Sequence, residues 1–366
     1  MRLNLLIIAQ SGRALAQFAR KADLRCVVLD CFGDEDTGEY ADAVEVVGSA
    51  DHGFDANRLL AAVEKYSPAS QVISIVAGSG FEDRPDLLAA VSEGRQFTGI
   101  APGTIRSVKD PALFFHTLRR LQIPHPEILL EGEPTGEGWL MKRIGGCGGT
   151  HIRYWRSGGS LLPGYYLQRE VQGTPMSAVV LSNGREARVI GYNELWLSPA
   201  ADQPFRFGGA VSVWPDPAVQ LAVIYAVQEL LQPYDLIGLF GIDVVRDSSG
   251  EIAILEVNPR PPATFPLHEG TESLLAAHLA ACAGEMPDWQ ADKATHRAQA
   301  ILYAETAFTI PSDWQWPDWT ADRPAPGTVI HRGEPLCTVL AEADTALEAR
   351  DLAAWQLRGV MDELLA

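Results

Sequence analysis

This chain of 366 residues has few cysteines and lacks the patterns in which cysteine usually acts. Cys26, Cys31, Cys147, Cys282 and Cys337 are odd in number, are widely spaced and include no C-x-x-C pair. We therefore expect neither structural disulfides nor a zinc site, and we expect a reducing, cytoplasmic location. A cysteine nucleophile is not indicated either, because the sequence places no base beside Cys147.

A long apolar run and a positive net charge are also absent. The first apolar stretch, Leu3 to Ala9, covers seven residues before the chain turns polar. It is too short for a membrane span and has no cleavage region, so we predict a first β-strand. The formal net charge of −18 argues against a nucleic-acid surface or an anionic membrane as partner. A nucleotide pocket stays open, because it needs only a few local cations.

The start of the chain has the pattern of a βαβ unit without the fingerprint of a dinucleotide site. The first strand leads through Ser11 and Gly12 into a helical stretch, and Arg25 to Cys31 is a second buried strand. G-x-G-x-x-G is absent, so we predict a Rossmann-like scaffold that does not bind NAD. The acidic loop from Gly33 to Thr37 is predicted to be solvated.

A later strand of this first part ends in a glycine-rich turn that contains Ser79 and Glu82. Ligands bind at that edge of open α/β sheets, so both side chains are candidates for a cleft. A tight turn with a helix-capping acid is an equally good interpretation.

The stretch from Gly238 to Pro262 predicts two strands joined by a tight turn. Apolar residues alternate from Phe240 to Val244 with the period of a half-buried strand, and Gly250 closes a turn cluster. If the strands pair as a hairpin, Asp243 and Glu256 lie near each other on one face.

A carboxamide and a guanidinium extend this acidic face. Asn258 lies two residues beyond Glu256 and so points the same way, and Arg260 follows on that face again. Two carboxylates and a carboxamide suit Mg²⁺, with substrate phosphates and water completing its octahedron. A solvated acidic face is the alternative. The apolar neighbours favour the metal site, because an unpaired buried charge is expensive.

A lysine and a glycine-rich loop precede the hairpin in the chain. Lys142 ends a predicted strand, and Gly145, Gly146, Gly148 and Gly149 follow it. Such glycines let backbone N–H groups close on an anion and tolerate unusual φ angles. The loop is not a P-loop, since G-x-x-x-x-G-K-[ST] is absent. A flexible hairpin loop without a ligand is the alternative.

The phrases GIDVVRD and GEIAILEVNPRPP, together with the Lys142 loop, resemble the ATP-grasp superfamily of carboxylate–amine ligases. The resemblance covers nearly the whole chain and implies an α/β (α+β) protein with the ATP-grasp fold. It implies a Rossmann-like domain at residues 1–103 and an ATP-grasp domain at 104–298, with subdomains 104–170 and 171–298. A small β-rich segment with a closing helix, 299–366, completes the expected chain.

The resemblance also implies roles for individual residues. For Lys109 a solvated surface lysine is the alternative. Ribose contacts stay unassigned, because Thr174 and Pro175 stand where many relatives have an acid. The implied Mg²⁺ ligands are Asp243, Glu256 and Asn258; the implied catalytic residues are Arg260 and Lys142; the implied ATP contacts are Lys109, Lys142, Gly145, Gly146, Gly148, Gly149, Gln168, Arg169, Glu170 and Val171.

The implied reaction joins a small-molecule carboxylate to an amine through an acyl phosphate, with ATP and Mg²⁺ as cofactors. No nucleic acid and no membrane is expected as partner, and a homodimer is one expectation for assembly. Phrases such as PFRFGGA and DRPAPGT resemble ATP-grasp proteins linked to one-carbon metabolism with methanopterin or methanofuran cofactors in methylotrophs. Arg206, within the first phrase, either holds an acceptor carboxylate or is a stray loop residue.

Two other functions are less favoured by the sequence than the ligase. A regulator that binds ATP without turnover is less favoured, because Lys142 and Glu256 are both present. A dehydrogenase built on the first domain is less favoured, because the glycine fingerprint is missing.

Overall fold

The structure, a computed structural model, describes residues 4–364. The predicted first strand is present, although Leu3 lies outside the described residues, as does Leu365 at the end of the predicted closing helix. The helices are α1 (Arg13–Lys21), α2 (Glu35–Tyr40), α3 (Ala56–Tyr66), α4 (Pro85–Ser92), α5 (Pro102–Lys109), α6 (Pro111–Arg120), α7 (Pro217–Leu231), α8 (Leu274–Cys282) and α9 (Ala346–Leu364), with a 3-10 helix at Phe265–His268.

The strands form three main sheets and two short ribbons. They are β1 (Leu5–Ile8), β2 (Cys26–Asp30), β3 (Ala43–Val46), β4 (Gly48–Ser49), β5 (Gly53–Phe54), β6 (Ser74–Ala77), β7 (Gln96–Thr98), β8 (Ile128–Leu129), β9 (Trp139–Arg143), β10 (Arg153–Tyr154), β11 (Tyr165–Arg169), β12 (Thr174–Asn183), β13 (Ala187–Leu197), β14 (Phe207–Val213), β15 (Ile237–Arg246), β16 (Ile252–Asn258), β17 (His296–Tyr303), β18 (Phe308–Thr309), β19 (Thr320–Ala321), β20 (Val329–Ile330) and β21 (Pro335–Ala343).

The first sheet is parallel, with the order β3-β2-β1-β6-β7. All four residues of β1 and all five of β2 are buried, as expected of strands covered on both faces. Each large apolar side chain buried in this way contributes about 1.5–3 kcal/mol. The predicted α/β scaffold of the first part is therefore confirmed.

The other two sheets are antiparallel and border one cleft. A large sheet runs β16-β15-β12-β13-β14-β17-β21-β19, and a small sheet runs β10-β9-β11-β8. Side chains of both sheets line the cleft. The C-terminal strands β17 and β21 extend the large sheet, so the expected division at 298/299 falls within β17. Among residues 4–364, no helix is both long and apolar enough to cross a bilayer.

One sequence prediction about local structure was wrong. The acidic loop near Asp34 was expected to be solvated, but it forms α2 and buries Asp34 and Asp36. Ser107 to Lys109 end α5. Asp110 caps the next helix by accepting the Leu113 N–H, and Pro111 begins it. Proline disfavours a helical residue before it, so one helix stops and another starts here.

Candidate functional site

The predicted hairpin is formed by β15 and β16 and places its two acids side by side. Asp243 pairs directly with Glu256 across the strands, and Gly241 pairs with Asn258. The Asn258 amide donates to Asp243 Oδ2 over 2.9 Å. The turn between the strands is held by Asp247, whose carboxylate accepts from the Ser249 N–H at 2.8 Å.

Burial and neighbouring charges give the two carboxyl groups very different pKa values. Burial and the repulsion of Glu256 raise the pKa of Asp243 to about 7, against the opposing effects of the Asn258 hydrogen bond and the Lys109 and Arg260 charges. Burial would raise the pKa of Glu256 as well, but Lys109 and Lys142 outweigh it and lower that pKa to about 2. Glu256 therefore carries a full negative charge at neutral pH, whereas Asp243 holds a proton part of the time.

Lys109 supplies the closest cation. Its Nζ donates to Glu256 Oε2 over 2.9 Å, and its side chain is only 6% exposed against 27% for Glu256. The alternative interpretation of Lys109, a solvated surface lysine, is therefore wrong: α5 carries Lys109 into the site from a position 147 residues before its partner.

Lys142 lies on β9, in the small sheet across the cleft. It is buried, and its Nζ donates to Gln168 Oε1 on the neighbouring strand β11 over 3.2 Å. The Nε2 of Gln168 is buried without a hydrogen-bond partner among the described residues. A buried amide N–H without an acceptor is costly, so this donor fits a ligand acceptor in the cleft.

The glycine-rich loop packs where side chains would not fit. Gly145, Gly148 and Gly149 have φ angles of +71°, +65° and +72°. A Cβ on Gly145 would meet Asp83 Cα at 2.6 Å, and one on Gly149 would meet the Phe205 carbonyl oxygen at 1.9 Å. The loop therefore lies against both the first domain and the turn before β14, and only glycine permits this approach.

Arg260 follows β16 and is held by the first domain. Its Nε donates to Glu82 Oε1 at 2.5 Å, and Glu82 Oε2 accepts from the Gly80 N–H at 2.7 Å. The prediction that Ser79 and Glu82 face the cleft is wrong, because neither residue lines it. The Glu82 side chain is 3% exposed and orients Arg260 from behind. Nη1 of Arg260 donates to the Pro261 carbonyl at 3.2 Å.

The hinge, the segment that joins the small sheet to the large sheet, also borders the cleft. Arg169, Glu170 and Val171 line it together with Gln168. The Arg169 guanidinium itself turns outward, over the Trp139 ring at 4.4 Å. It also donates to the Thr135 carbonyl at 3.3 Å. Arg169 can therefore contribute backbone groups to a ligand, but not its charge.

The cleft has a cavity volume of about 390 Å³, within the range of small-molecule sites. Its lining includes Lys142, Gly148, Gly149, the hinge residues, Asp243, Glu256, Asn258 and Arg260. Lys109, Gly145 and Gly146 line an adjoining small cavity, which shares Lys142 and Glu256 with the cleft. The structure thus brings every residue of the predicted site to one place.

The donor set at the hairpin fits Mg²⁺. Within residues 4–364 no three or more His, Cys, Asp and Glu side chains are grouped to hold a metal. Mg²⁺ does not need such a group, because one or two carboxylates with phosphate oxygens and water complete its shell. Asp243, Glu256 and the Asn258 amide would hold it, and Lys109 donates to one of these carboxylates, that of Glu256.

Comparison with known proteins identifies the architecture. Residues 108–264 match the family model described as an ATP-grasp domain. A biotin carboxylase from Campylobacter jejuni, solved as a β,γ-ATP complex, is 13% identical with a TM-score of 0.74, covering 95% of this chain and 89% of its own. The fold is the ATP-grasp fold. No curated protein matches the chain.

Two further solved structures share this ATP-grasp fold over almost their full length. N5-carboxyaminoimidazole ribonucleotide synthetase from Thermotoga maritima is 16% identical with a TM-score of 0.68, covering 98% of both chains. L-amino acid ligase from Bacillus licheniformis is 13% identical with a TM-score of 0.70, covering 98% of this chain and 97% of its own. Identities this low establish the fold alone.

Two sequence candidates turn out to be structural in this ATP-grasp site. Arg206 does not line the cleft: its Nε donates to the Ser198 carbonyl at 2.8 Å, and it lies over the Tyr303 ring at 3.7 Å. Burial raises the pKa of Cys147 to about 11, so its thiol stays protonated at neutral pH. All five cysteines lie within residues 4–364 and are free.

Sequence reasoning missed other cleft residues. Phe205, Phe207 and Thr264 line the cleft without having been singled out. His151 packs on Gly146, and burial lowers its pKa to about 4, so the ring is neutral. The alternation of PFRF was a usable signal for the two phenylalanines, but Thr264 and His151 had none, because irregular segments carry them.

Proposed function

We propose that the protein is an ATP-dependent ligase that joins a carboxylate to an amine through an acyl phosphate. The observation that carries this proposal is the paired Asp243 and Glu256, facing Lys142 and a glycine-rich loop across one cleft. Such a site concentrates cation-binding oxygens and phosphate-binding groups in the same volume. The proposed domain division and the roles of the individual residues belong to this proposal.

ATP would lie with its base at the hinge and its phosphates at the hairpin. The unpartnered Nε2 of Gln168 and the backbone of Glu170 and Val171 offer donors and acceptors to the base. Lys142 and the loop amides at Gly148 and Gly149 would take the phosphates, whose negative charge balances their partial and full positive charges.

The first chemical step transfers a phosphoryl group. A carboxylate oxygen of the substrate attacks the γ-phosphorus of ATP, the bond from that phosphorus to the β–γ bridging oxygen breaks, and ADP leaves. Lys142 and Arg260 would stabilise the charge that develops on the transferring group and the acid. Mg²⁺ held by Asp243, Glu256 and Asn258 would supply further charge neutralisation at the phosphates.

The second step forms the carbon–nitrogen bond. The amine nitrogen attacks the acyl carbon, the bond to the phosphoryl oxygen breaks, and phosphate leaves while the amine proton passes to phosphate or water. No protein nucleophile is needed. Catalysis then consists of positioning two substrates and neutralising charge.

The finer parts of the proposal concern cofactor and pathway. Mg²⁺ is supported by the donor set, and a structurally similar 2-oxoglutarate carboxylase domain from Hydrogenobacter thermophilus was solved with MgADP. A role in one-carbon cofactor biosynthesis rests on the resemblance of the sequence phrases alone. A regulator that binds ATP without turnover is the second candidate, favoured by no observation in the site.

The test is a screen of carboxylic acids with amines in the presence of Mg²⁺ and ATP. We expect ADP release and a product whose mass equals acid plus amine minus water. Glu256→Gln removes the carboxylate that is ionised in the site and should abolish both signals. Glu45→Gln, which removes a surface partner of Lys65, is the matched control and should retain them. ATP binding without ADP release for any acid would favour the regulator.

A further inference from the structure

A row of polar side chains crosses the large sheet at the level of the two acids. Asp243 pairs with Glu256 on one side and with Ser177 of β12 on the other. Ser177 pairs in turn with Asn193 of β13. Residues directly opposite each other in an antiparallel sheet point to the same face, so all four side chains lie on the face that borders the cleft. Ser177 lines the cleft beside Asp243.

The Ser177 hydroxyl group accepts a hydrogen bond from the protein and donates none to it. Its Oγ accepts from Asn193 Nδ2 over 3.1 Å, and among residues 4–364 its own proton has no acceptor within hydrogen-bond distance. A hydroxyl that already accepts a hydrogen bond is a stronger donor, because hydrogen bonds in a chain polarise one another. Ser177 therefore offers the cleft an O–H group that suits an anionic acceptor.

A histidine behind Asn193 fixes the direction of this chain of hydrogen bonds. His268 is buried, and its Nε2 lies 2.9 Å from Asn193 Oδ1. Burial, and to a lesser extent the charge of Arg297, lower the pKa of His268 to about 3, so the ring is neutral and has one N–H. The amide of Asn193 uses its N–H for Ser177, so its oxygen must accept from His268 Nε2. Each donor thus points from His268 toward the cleft.

The surrounding sheet holds this arrangement in place. A Cβ at Gly191 would meet His268 Nδ1 at 2.1 Å, so the glycine leaves the space in which the ring reaches Asn193. Asn193 itself is fully buried. Turning its amide would leave buried polar atoms unpaired, which is costly, so the bond to Ser177 is kept.

Ser177 also lies where the phosphates of a bound nucleotide would lie. Thr174 begins β12 directly after the hinge, and Ser177 is three residues further, about 10 Å along the strand. A nucleotide with its base at the hinge would run toward the two acids, and its terminal phosphate would reach their level. Lys142 approaches this volume from the small sheet. Ser177 adds a neutral donor on the side where Asp243 and Glu256 present carboxyl groups.

We propose that the Ser177 hydroxyl group donates a hydrogen bond to the γ-phosphate of ATP, and that Asn193 and His268 are the residues that position it. The contact also serves the transfer step, because charge is spread over the oxygens of the transferring group. This inference rests on the proposed function, since it adds a contact to the nucleotide in the same cleft.

The test compares ADP with the β,γ-imido analogue of ATP, because the two nucleotides differ in the γ-phosphate. Their dissociation constants are measured calorimetrically with Mg²⁺ in excess. In Ser177→Ala the preference for the analogue over ADP should fall at least about tenfold, with the ADP constant changed less than about twofold. Ser177→Thr keeps the hydroxyl group and should retain the preference within about threefold.

A pair of variants at His268 tests the positioning residues. His268→Gln keeps an N–H donor for Asn193 Oδ1 and should retain the preference of the wild type. His268→Leu has similar bulk without a donor, so the Asn193 amide can turn, and the preference should fall at least about threefold. Equal preferences in these two variants would overturn the positioning role.

Ser182→Ala is the matched control and should leave the preference unchanged. Ser182 is a buried serine of the same strand, and its Oγ accepts the Gly184 N–H at 3.0 Å outside the cleft. An unchanged preference in Ser177→Ala, or an equal loss of affinity for both nucleotides, overturns the inference. So does a Ser177→Thr variant as impaired as Ser177→Ala, because packing and not the hydroxyl group would then carry the effect.

The measurement separates this inference from the ligase proposal. A lost preference in Ser177→Ala, in a protein that releases no ADP with any acid, supports the contact and contradicts the ligase. ADP release together with an unchanged preference in Ser177→Ala contradicts the contact and leaves the ligase standing.

Discussion

Two groups of buried carboxylates can be compared within this molecule. Asp243 and Glu256 border a cleft of about 390 Å³. Asp30, Asp34 and Asp36 lie at the carboxyl ends of β1 and β2, where the C-terminal segment covers the first sheet. Burial raises the pKa of Asp243 to about 7 in the first group. In the second group it raises the pKa of all three acids, that of Asp30 to about 6.

The groups differ in what satisfies them. Asp36 accepts the backbone N–H groups of Asp322 and Arg323, both at 2.9 Å. Arg13 donates to Asp322 at 3.1 Å and approaches Asp36 at 3.9 Å. Protein groups thus satisfy Asp36 in the second group, whereas the first group is open to the cleft. A buried, perturbed acid is therefore a functional candidate only where a cavity gives a ligand access to it.

The largest expected effect separates activity from stability at Asp243, in the group of acids that borders the cleft. Asp243→Asn imitates the neutral form that burial favours, so we expect the free energy of unfolding at pH 8 to rise. The same variant lacks a carboxylate for the metal, and ATP-dependent ADP release should fall about 10³-fold. Urea unfolding and a coupled ADP assay measure the two. Retained activity would remove Asp243 from the metal site.

In the second group, Asp30, Asp34 and Asp36, the removal of a charged partner should lower the free energy of unfolding. Arg13→Ala removes the guanidinium that pairs with Asp322 and leaves Asp36 with Arg323 alone, and breaking a buried pair costs about 3–5 kcal/mol. Arg188→Ala, which removes the surface partner of the fully exposed Asp288, should cost less than about 1 kcal/mol. If urea unfolding gave the two variants equal losses of the free energy of unfolding, the ion pairs of the second group would contribute no more than a surface pair.

The pH dependence of stability sharpens the comparison further. The pKa of Asp30 is about 6 in the folded protein against an ordinary value of 3.8, so the native state binds the extra proton. The contribution of Asp30 to the free energy of unfolding therefore falls by about 3 kcal/mol as pH rises from about 4 to 6, and it levels off above that range. Asp30→Asn lacks this titration, and the difference between the two proteins isolates it. A free energy of unfolding of the wild type that rises relative to that of Asp30→Asn over this window would contradict the assigned shift.

The smallest expected effect has opposite signs for metal and nucleotide. Lys109→Met removes the ammonium group that occupies Glu256, so Mn²⁺ without nucleotide should bind about tenfold more tightly. The ATP analogue should bind about tenfold more weakly, because a phosphate partner is lost. Titrations followed by electron paramagnetic resonance and calorimetry measure the two.

Lys65→Met, at an exposed ion pair in the first domain, is the control for this experiment and should change neither affinity. A shift of both affinities in the same direction would mean that Lys109 acts only through the fold.

The hairpin could be predicted because its information is local. A period of two, a turn at Asp247 to Gly250 and two acids on one face are enough to place Asp243 opposite Glu256. The glycine-rich loop was visible for the same reason. The interpretation of the acidic loop near Asp34 failed, because its burial depends on a segment that returns almost 300 residues later in the chain, at Arg323.

The amino-acid sequence by itself determined the strands, the turn and the faces on which acids, lysine and glycines lie, since these follow from neighbours within a few residues. Only the tertiary structure decided the partners. Lys109 reaches Glu256 and Glu82 reaches Arg260 across 147 and 178 residues. Such contacts depend on how the domains pack, which no local pattern encodes, and the same packing turned Arg206 away from the cleft.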